Sequence, residues 1–366
     1  MHLCHVFSTF EPGGTEVRTT EVIRRLPATF EHSILAMDGR YGCRRRVPEE
    51  RVREWLDGFP TRGRLAALRI AAQLLDRRPD LVLTYNWGAI ETVAALGMRG
   101  FRAVLHHEES FGADELTSQK RRRVWFRRAV LRLGRGVVVP SRTMQRIARE
   151  TWRLPARLVH FVPNAVDTDR FAPGDRRAAR AALDLPQDAQ VVGSVGHLRP
   201  EKTYGMLVET FASLRGVGQA WLLLVGGGNE RPALEALAAE CGVRERIRFT
   251  GVLDDPLPAY RVMDVFALSS ATEQMPLAVL EAMAVGLPVL ATAVGDVAAM
   301  VSDANRPWVL PADDCAGYRA GLGALLADAG LRRRIGDANR AHCVKTTSIV
   351  AMVEAYRRLY EAAARG

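Results

Sequence analysis

Two carboxylates eight residues apart, Glu273 and Glu281, lie in Ser270-Ala271-Thr272-Glu273-Gln274-Met275-Pro276-Leu277-Ala278-Val279-Leu280-Glu281-Ala282-Met283-Ala284. They bracket a helix start, because proline suits a first turn, where its missing N–H costs nothing. Glu273 then falls in the preceding loop. Glu281 falls one or two turns along an otherwise apolar helix, where a carboxylate needs an arginine, a backbone amide or a ligand as partner. A cation stands earlier, in Gly196-His197-Leu198-Arg199-Pro200-Glu201-Lys202. The chain has 48 Arg and three Lys, so a lysine where a strand gives way to a helix points to a compact ammonium suited to phosphate oxygens. Near the start, Pro12-Gly13-Gly14-Thr15-Glu16 puts paired glycines before a helix, where backbone can approach a ligand and free amides can meet an anion. A fourth group, His106-His107-Glu108-Glu109-Ser110-Phe111-Gly112-Ala113-Asp114-Glu115, offers two histidines and four carboxylates for proton transfer or metal binding. A solvated acidic loop is its other reading.

The elements that must carry these residues alternate. Apolar runs at 2–7, 81–85, 102–106 and 136–140 are separated by amphipathic stretches such as Glu16 to Leu26 and Gln119 to Leu133. After a Pro- and Asn-punctuated linker at 162–174, the pattern restarts with runs at 191–196, 221–226, 246–251, 264–269 and 287–292. This predicts an α/β fold of two Rossmann-like halves, 1–165 and 166–345, each a doubly wound parallel sheet with ligands at its carboxyl edge. The nearly uncharged stretch Met275 to Gly295 contains two prolines and Glu281, and reads as a buried helix over 277–285 and a strand over 287–292 rather than a membrane span. Ser348 to Ala364 carries Ile349, Met352, Val353, Tyr356, Leu359 and Tyr360 at helical spacing and predicts a closing helix.

Composition narrows the class. With 366 residues, 48% hydrophobic and 25% charged, the chain reads as an ordinary globular protein, not a disordered or coiled-coil one. Five scattered cysteines without a CxxC pair suggest neither a disulfide framework nor a zinc cage, which fits a reducing, cytoplasmic setting; the N-terminal residues lack the pattern of a secretory signal. The net charge of +10 is unevenly spread: residues 1–165 hold 29 Lys+Arg against 17 Asp+Glu, and residues 166–366 hold 22 against 24. The first half therefore suits an anionic partner or carries an Arg-rich solvated surface.

The order of these motifs, with VPNAVDTDRF at 162–171 and GLPVLATAVGDV at 286–297, resembles the family-4 retaining glycosyltransferases of GT-B fold (glycosyl transferases group 1) over nearly the whole chain. The resemblance implies two Rossmann-like domains facing a cleft. The N-terminal one, rejoined by the last helix at 346–366, binds the acceptor, and the C-terminal one binds a nucleotide-diphosphate sugar, on family grounds a UDP-sugar. It implies that Glu273 contacts the donor sugar, that Glu281 accepts from the ribose hydroxyls, that Lys202 neutralises the diphosphate and that Gly14, beside Gly13, approaches it. His197, Arg199, Gln274, Met275, Pro276 and Leu277 complete the implied donor set, and His107 (or its neighbour His106) is the implied catalytic histidine. Two positions depart from the family pattern. His197 stands where the family has Arg, with Arg199 nearby, and Gln274 stands where it has Gly. Metal-free catalysis is implied, since a fixed cation and aligned amides can stabilise a departing diphosphate. Asp167-Thr168-Asp169, although of a metal-binding form, sits in the linker and reads as turn chemistry.

The implied activity is sugar transfer to a glycan or lipid-linked acceptor in envelope or exopolysaccharide synthesis. A 2-epimerase of the same fold is the alternative. A nucleic-acid binder is weaker, because no recognition signature accompanies the arginines. The basic stretch 119–133, with Val124, Trp125 and Phe126 between Lys120-Arg121-Arg122-Arg123 and Arg127-Arg128, is expected to meet anionic lipid at the inner membrane face.

Overall fold

A computed structural model of the chain describes residues 1–58, 65–111, 115, 118–214 and 220–365. It separates into two compact units, Met1–Asn164 with Val350–Gly366, and Ala165–Ile349.

The first unit is built on seven parallel strands: β1 His2–Phe7, β2 Glu31–Ala36, β3 Val52–Trp55, β4 Leu81–Tyr85, β5 Val104–His107, β6 Gly136–Val139 and β7 Val159–Phe161. Their order is β3-β2-β1-β4-β5-β6-β7, and every pair is parallel. Parallel strands are covered on both faces, which explains why β1, β4, β5 and β6 are buried throughout. Helices α1 Gly14–Arg25, α2 Ala66–Asp76, α3 Asn86–Met98, α4 Arg121–Val130 and α5 Arg142–Glu150 follow β1, β3, β4, β5 and β6.

The second unit repeats the design with six strands: β8 Gln190–Val195, β9 Ala220–Val225, β10 Ile247–Gly251, β11 Val265–Leu268, β12 Val289–Thr292 and β13 Val309–Leu310, in the order β10-β9-β8-β11-β12-β13. Its helices are α6 Arg176–Ala182, α7 Tyr204–Ser213, α8 Arg231–Glu240, α9 Leu257–Val262, α10 Leu277–Val285, α11 Val297–Met300, α12 Cys315–Ala327 and α13 Ala329–Thr346. A last helix, α14 Ile349–Arg365, lays Met352, Val353, Tyr356 and Tyr360 onto the first unit.

In both sheets the chain first winds one way and then returns to the other side of the first strand. The reversal lies between β1 and β4 in one unit and between β8 and β11 in the other. Loops at the carboxyl ends of such a strand pair splay apart and leave room for a ligand. The glycine pair follows β1, Lys202 follows β8 and Glu273 follows β11. Four strands escaped the sequence pattern: β2, β3, β7 and β13.

Candidate donor site in the second unit

The loop after β8 tightens into a 3-10 turn at Pro200–Lys202, and Thr203 takes a left-handed conformation, φ 44°, before α7 begins. That kink turns Lys202 toward the end of β11. There Lys202 Nζ donates to Glu273 Oε1 at 2.5 Å, and Ser270 Oγ donates to the same oxygen at 2.9 Å. The two side chains are 24% and 12% exposed. Burial alone would push the lysine down, but the Glu273 carboxylate outweighs it and raises the ammonium above its ordinary value. It therefore stays charged, ready for an anion.

The backbone on either side is fastened. Ser269 Oγ donates to Lys202 O at 2.8 Å, Ala271 N–H donates to Glu201 O at 2.9 Å, and Thr203 Oγ1 donates to Ser269 O. From below, Thr292 Oγ1 holds Ser270 O at 2.6 Å, and Asp296 N–H holds Gln274 O at 2.8 Å. This last contact depends on Gly295: at φ +54°, a Cβ there would sit 2.3 Å from Glu273 O.

Pro276 caps α10, and Gly286, left-handed at φ 85°, ends it. Met275, Leu277 and Ala278 pack against the core of this unit, and Gln274 is buried. Glu281 lies one turn into the helix and accepts from Tyr260 Oη at 2.6 Å. The bend before Lys202 places His197 half-buried and Arg199 exposed. Thus Lys202, Glu273 and the α10 start share one edge of one sheet, as the sequence expects, and His197 and Arg199 lie on the same loop. Tyr260, Ser270 and Gly295 were not singled out by sequence; a tyrosine on a short apolar helix and a glycine in an uncharged loop give no chemical signal by type alone.

The first unit is arranged differently. His106 and His107 end β5 with no exposed surface. His107 lies in a ring stack with Tyr85, 4.6 Å between centroids, and Tyr360 Oη is 3.4 Å from its Nε2. Burial, then the Arg18 charge, holds this imidazole well below its ordinary value, so it is neutral. His106 is bonded to Thr84 Oγ1 at 2.8 Å and to Glu108 Oε2 at 3.0 Å; Glu108 pairs with Arg127, which also pairs with Glu115. Adjacent carboxyls diverge. Burial would raise Glu108, but Arg127 and His106 outweigh it and lower it, whereas burial outweighs Arg18 at Glu109 and raises it. Asn86, left-handed at φ 55°, ties the edge together: its Oδ1 accepts from Glu109 N–H at 2.9 Å and its Nδ2 donates to Thr15 Oγ1 at 3.2 Å. Of the expected proton-transfer group, His106, Glu108 and Glu115 are joined through Arg127 and His106–Glu108 contacts, whereas His107 Nδ1 is buried without a hydrogen-bond partner among the described residues; Gly112 to Asp114 lie outside them.

Gly13 caps α1, and Gly14 opens it with its Cα exposed; a Cβ at Gly14 would meet nothing within 4 Å. Among the described residues no packing demand calls for glycine there. The side chains of the basic stretch 119–133 divide between inside and outside. Arg127 is wholly buried beneath Trp87 and Trp152, and Val124 and Phe126 pack inward, because the Glu108–Glu115 carboxylates draw the guanidinium into the unit. Arg121, Arg122 and Trp125 remain outward, Trp125 at 66% exposure with Arg128 over its ring. Asp167 behaves as turn chemistry demands, its Oδ1 accepting from the N–H groups of Asp169 and Arg170 at 3.2 and 3.0 Å. No described helix is long and apolar enough to cross a membrane.

The family described as "Glycosyltransferase Family 4" matches residues 12–170, and "Glycosyl transferases group 1" matches residues 175–342. The chain is 33% identical over 215 residues to the lipopolysaccharide core biosynthesis glycosyltransferase LpsE of Rhizobium meliloti, covering 59% of this chain and 60% of that protein. It is 38% identical over 198 residues to the D-inositol 3-phosphate glycosyltransferase of Nocardia farcinica, covering 50% of this chain and 43% of that one. The chain thus spans about half the length of these curated relatives. Among solved structures, sucrose-phosphate synthase from Thermosynechococcus elongatus superposes with a TM-score of 0.82 at 22% identity, over 99% of this chain and 100% of that one. HepE of Anabaena, solved in complex with UDP-glucose, gives 0.82 at 17% identity, again over 99% and 100%. These structural likenesses establish the fold.

Proposed function

We propose that this chain, which belongs to the family-4 glycosyltransferases of GT-B fold, moves a hexosyl group from a nucleotide-diphosphate sugar to a glycan or lipid-linked acceptor in cell-envelope synthesis. The observation that carries the proposal is the Lys202–Glu273 pair at the strand reversal of the second unit. An ammonium kept charged beside a carboxylate supplies one group for a diphosphate and one for sugar hydroxyls. Two relatives support the acceptor class by their names, one acting in lipopolysaccharide core synthesis and one on an inositol phosphate. HepE, with its UDP-glucose, favours UDP as the nucleotide.

In this reading Lys202 and the α10 amides hold the diphosphate, with His197 and Arg199 on the adjoining loop. Glu273 orients the sugar, and Glu281 receives the ribose hydroxyls. Transfer is retaining and needs no metal. The acceptor oxygen bonds to the anomeric carbon on the face from which the diphosphate leaves, the carbon–phosphate-oxygen bond breaks, and a departing phosphate oxygen takes the acceptor proton. Lys202 stabilises the charge that develops. His107, neutral and enclosed, serves as a hydrogen-bonding and packing support at the acceptor edge rather than a charged acid.

The enzyme is cytoplasmic and rests on the inner membrane face through Arg121, Arg122 and Trp125. Co-sedimentation with anionic vesicles and not neutral ones at low salt is expected; equal sedimentation with both removes the membrane contact. The activity itself is tested by incubating purified protein with UDP-, GDP- and ADP-sugars, with and without a lipopolysaccharide-core or inositol-phosphate acceptor. Acceptor-dependent release of nucleoside diphosphate supports transfer. Conversion of the sugar without acceptor indicates an epimerase, and no turnover of any donor overturns the proposal.

A further inference from the structure

We infer that Tyr260 is a positioning residue for the donor ribose, holding Glu281 in the rotamer that receives the sugar hydroxyls; this rests on the proposed donor reading. The phenol has no exposed surface, and its hydroxyl donates to Glu281 Oε2 at 2.6 Å, the length of a charge-assisted O–H···O⁻ bond. Its ring is itself fixed, with Phe266 5.9 Å and Phe171 6.0 Å away between centroids, and its own N–H donates to Pro256 O at 3.2 Å.

The chemistry of the partner matters. A glutamate has three side-chain torsions to lose before it can accept two vicinal hydroxyls, and a rigid donor removes that cost in advance. An arginine in the same place would orient the carboxylate but neutralise it. A phenol orients it and leaves the negative charge for the ribose. Burial, then the Glu281 charge, raises the Tyr260 hydroxyl well above its ordinary value, so it remains a donor throughout the working pH range. The ends of α9 are met by other groups: Asp255 Oδ1 accepts from Leu257 N–H at 3.1 Å, and Met263 N–H donates to the Tyr260 carbonyl.

The test is calorimetric titration of the full chain with UDP and with 2′,3′-dideoxy-UDP, comparing wild type with Tyr260→Phe; GDP and ADP pairs are run alongside, so the nucleotide need not be assumed. Wild type is expected to lose about tenfold in affinity with the dideoxy nucleotide, and the Phe variant about twofold, because it already binds the ribose form more weakly. If wild type discriminates and Tyr260→Phe discriminates equally, the positioning role is overturned and the donor reading stands. If wild type shows no discrimination with any nucleotide, the Glu281–ribose reading fails, and the inference falls with it. Phe266→Leu loosens the same ring while keeping the hydroxyl–carboxylate bond, and its discrimination is expected to fall between wild type and Tyr260→Phe. A loss there equal to that of Tyr260→Phe makes the effect one of packing and overturns the inference. This comparison also reads the proposal if the Phe variant melts early.

Discussion

The two units share a winding pattern and use it in opposite ways. At the β8/β11 reversal, Lys202 and Glu273 are partly exposed and held by fastened backbone, so their charges face outward from a rigid frame. In the first unit, Arg18 pairs with Glu109, and His106, Glu108, Arg127 and Glu115 pair in a chain, all of them buried. The same topology therefore yields a site of available charge in one half and a site of spent charge in the other. Net charge is a poor guide to which is which: the first half carries the surplus of arginine, yet its deepest arginines are engaged inside.

Removing an available charge is expected to have the largest effect. Lys202→Ala and Glu273→Ala are each expected to lower sugar transfer by about a hundredfold or more while leaving the circular dichroism spectrum intact. Full activity in both variants would end the assignment. Removing a spent charge has the opposite signature. Arg127→Leu leaves Glu108 and Glu115 buried without their cation and is expected to cost about 3–5 kcal/mol of stability, seen as an early thermal transition.

Acid separates the units next. His5, held down to about 3 by burial, and His32 and His107, held well below the ordinary value, are neutral when folded. Their unfolded forms take up protons near pH 6.5, so the unfolded chain binds more protons below that point and stability falls as pH drops from about 6.5 towards 3. These three residues lie in the first unit. A denaturation series between pH 7 and 5 is expected to show that unit weakening first, by up to about 1.4 kcal/mol per pH unit for each histidine; a second unit that loosens earlier would refute the contrast. The smallest expected effect is Gly14→Ala. With open space around the added methyl, its melting temperature should match wild type, while nucleotide affinity drops a few-fold. Unchanged affinity would leave the glycine without a role.

Sequence carried the second unit well, for a physical reason. Lys202, Glu273, Pro276 and Glu281 are set within segments whose helix and strand limits follow from local rules, and α10 runs over Leu277–Val285 as its pattern predicts. Three of the four strands that escaped are short and at sheet edges. β3, β7 and β13 have four, three and two residues, too few to show a period, and they lie at sheet edges or next to them. β2 begins with Glu31 and His32, and His32 is buried with His5 Nε2 2.9 Å from its Nδ1. No local rule reveals a partner 27 residues away. Within the basic stretch, Arg127 reads as surface until the loop carboxylates that draw it inward are placed.

Gly295 carries a consequence for genetics. Its own atoms do no chemistry, yet any side chain there collides with the carbonyl of Glu273. A variant library scored by activity would therefore rank this position beside the charged residues, and only a rescue experiment, or a nucleotide soak, would show that the lesion is one of displaced backbone. Tolerance to substitution in this loop reports spacing as much as reactivity.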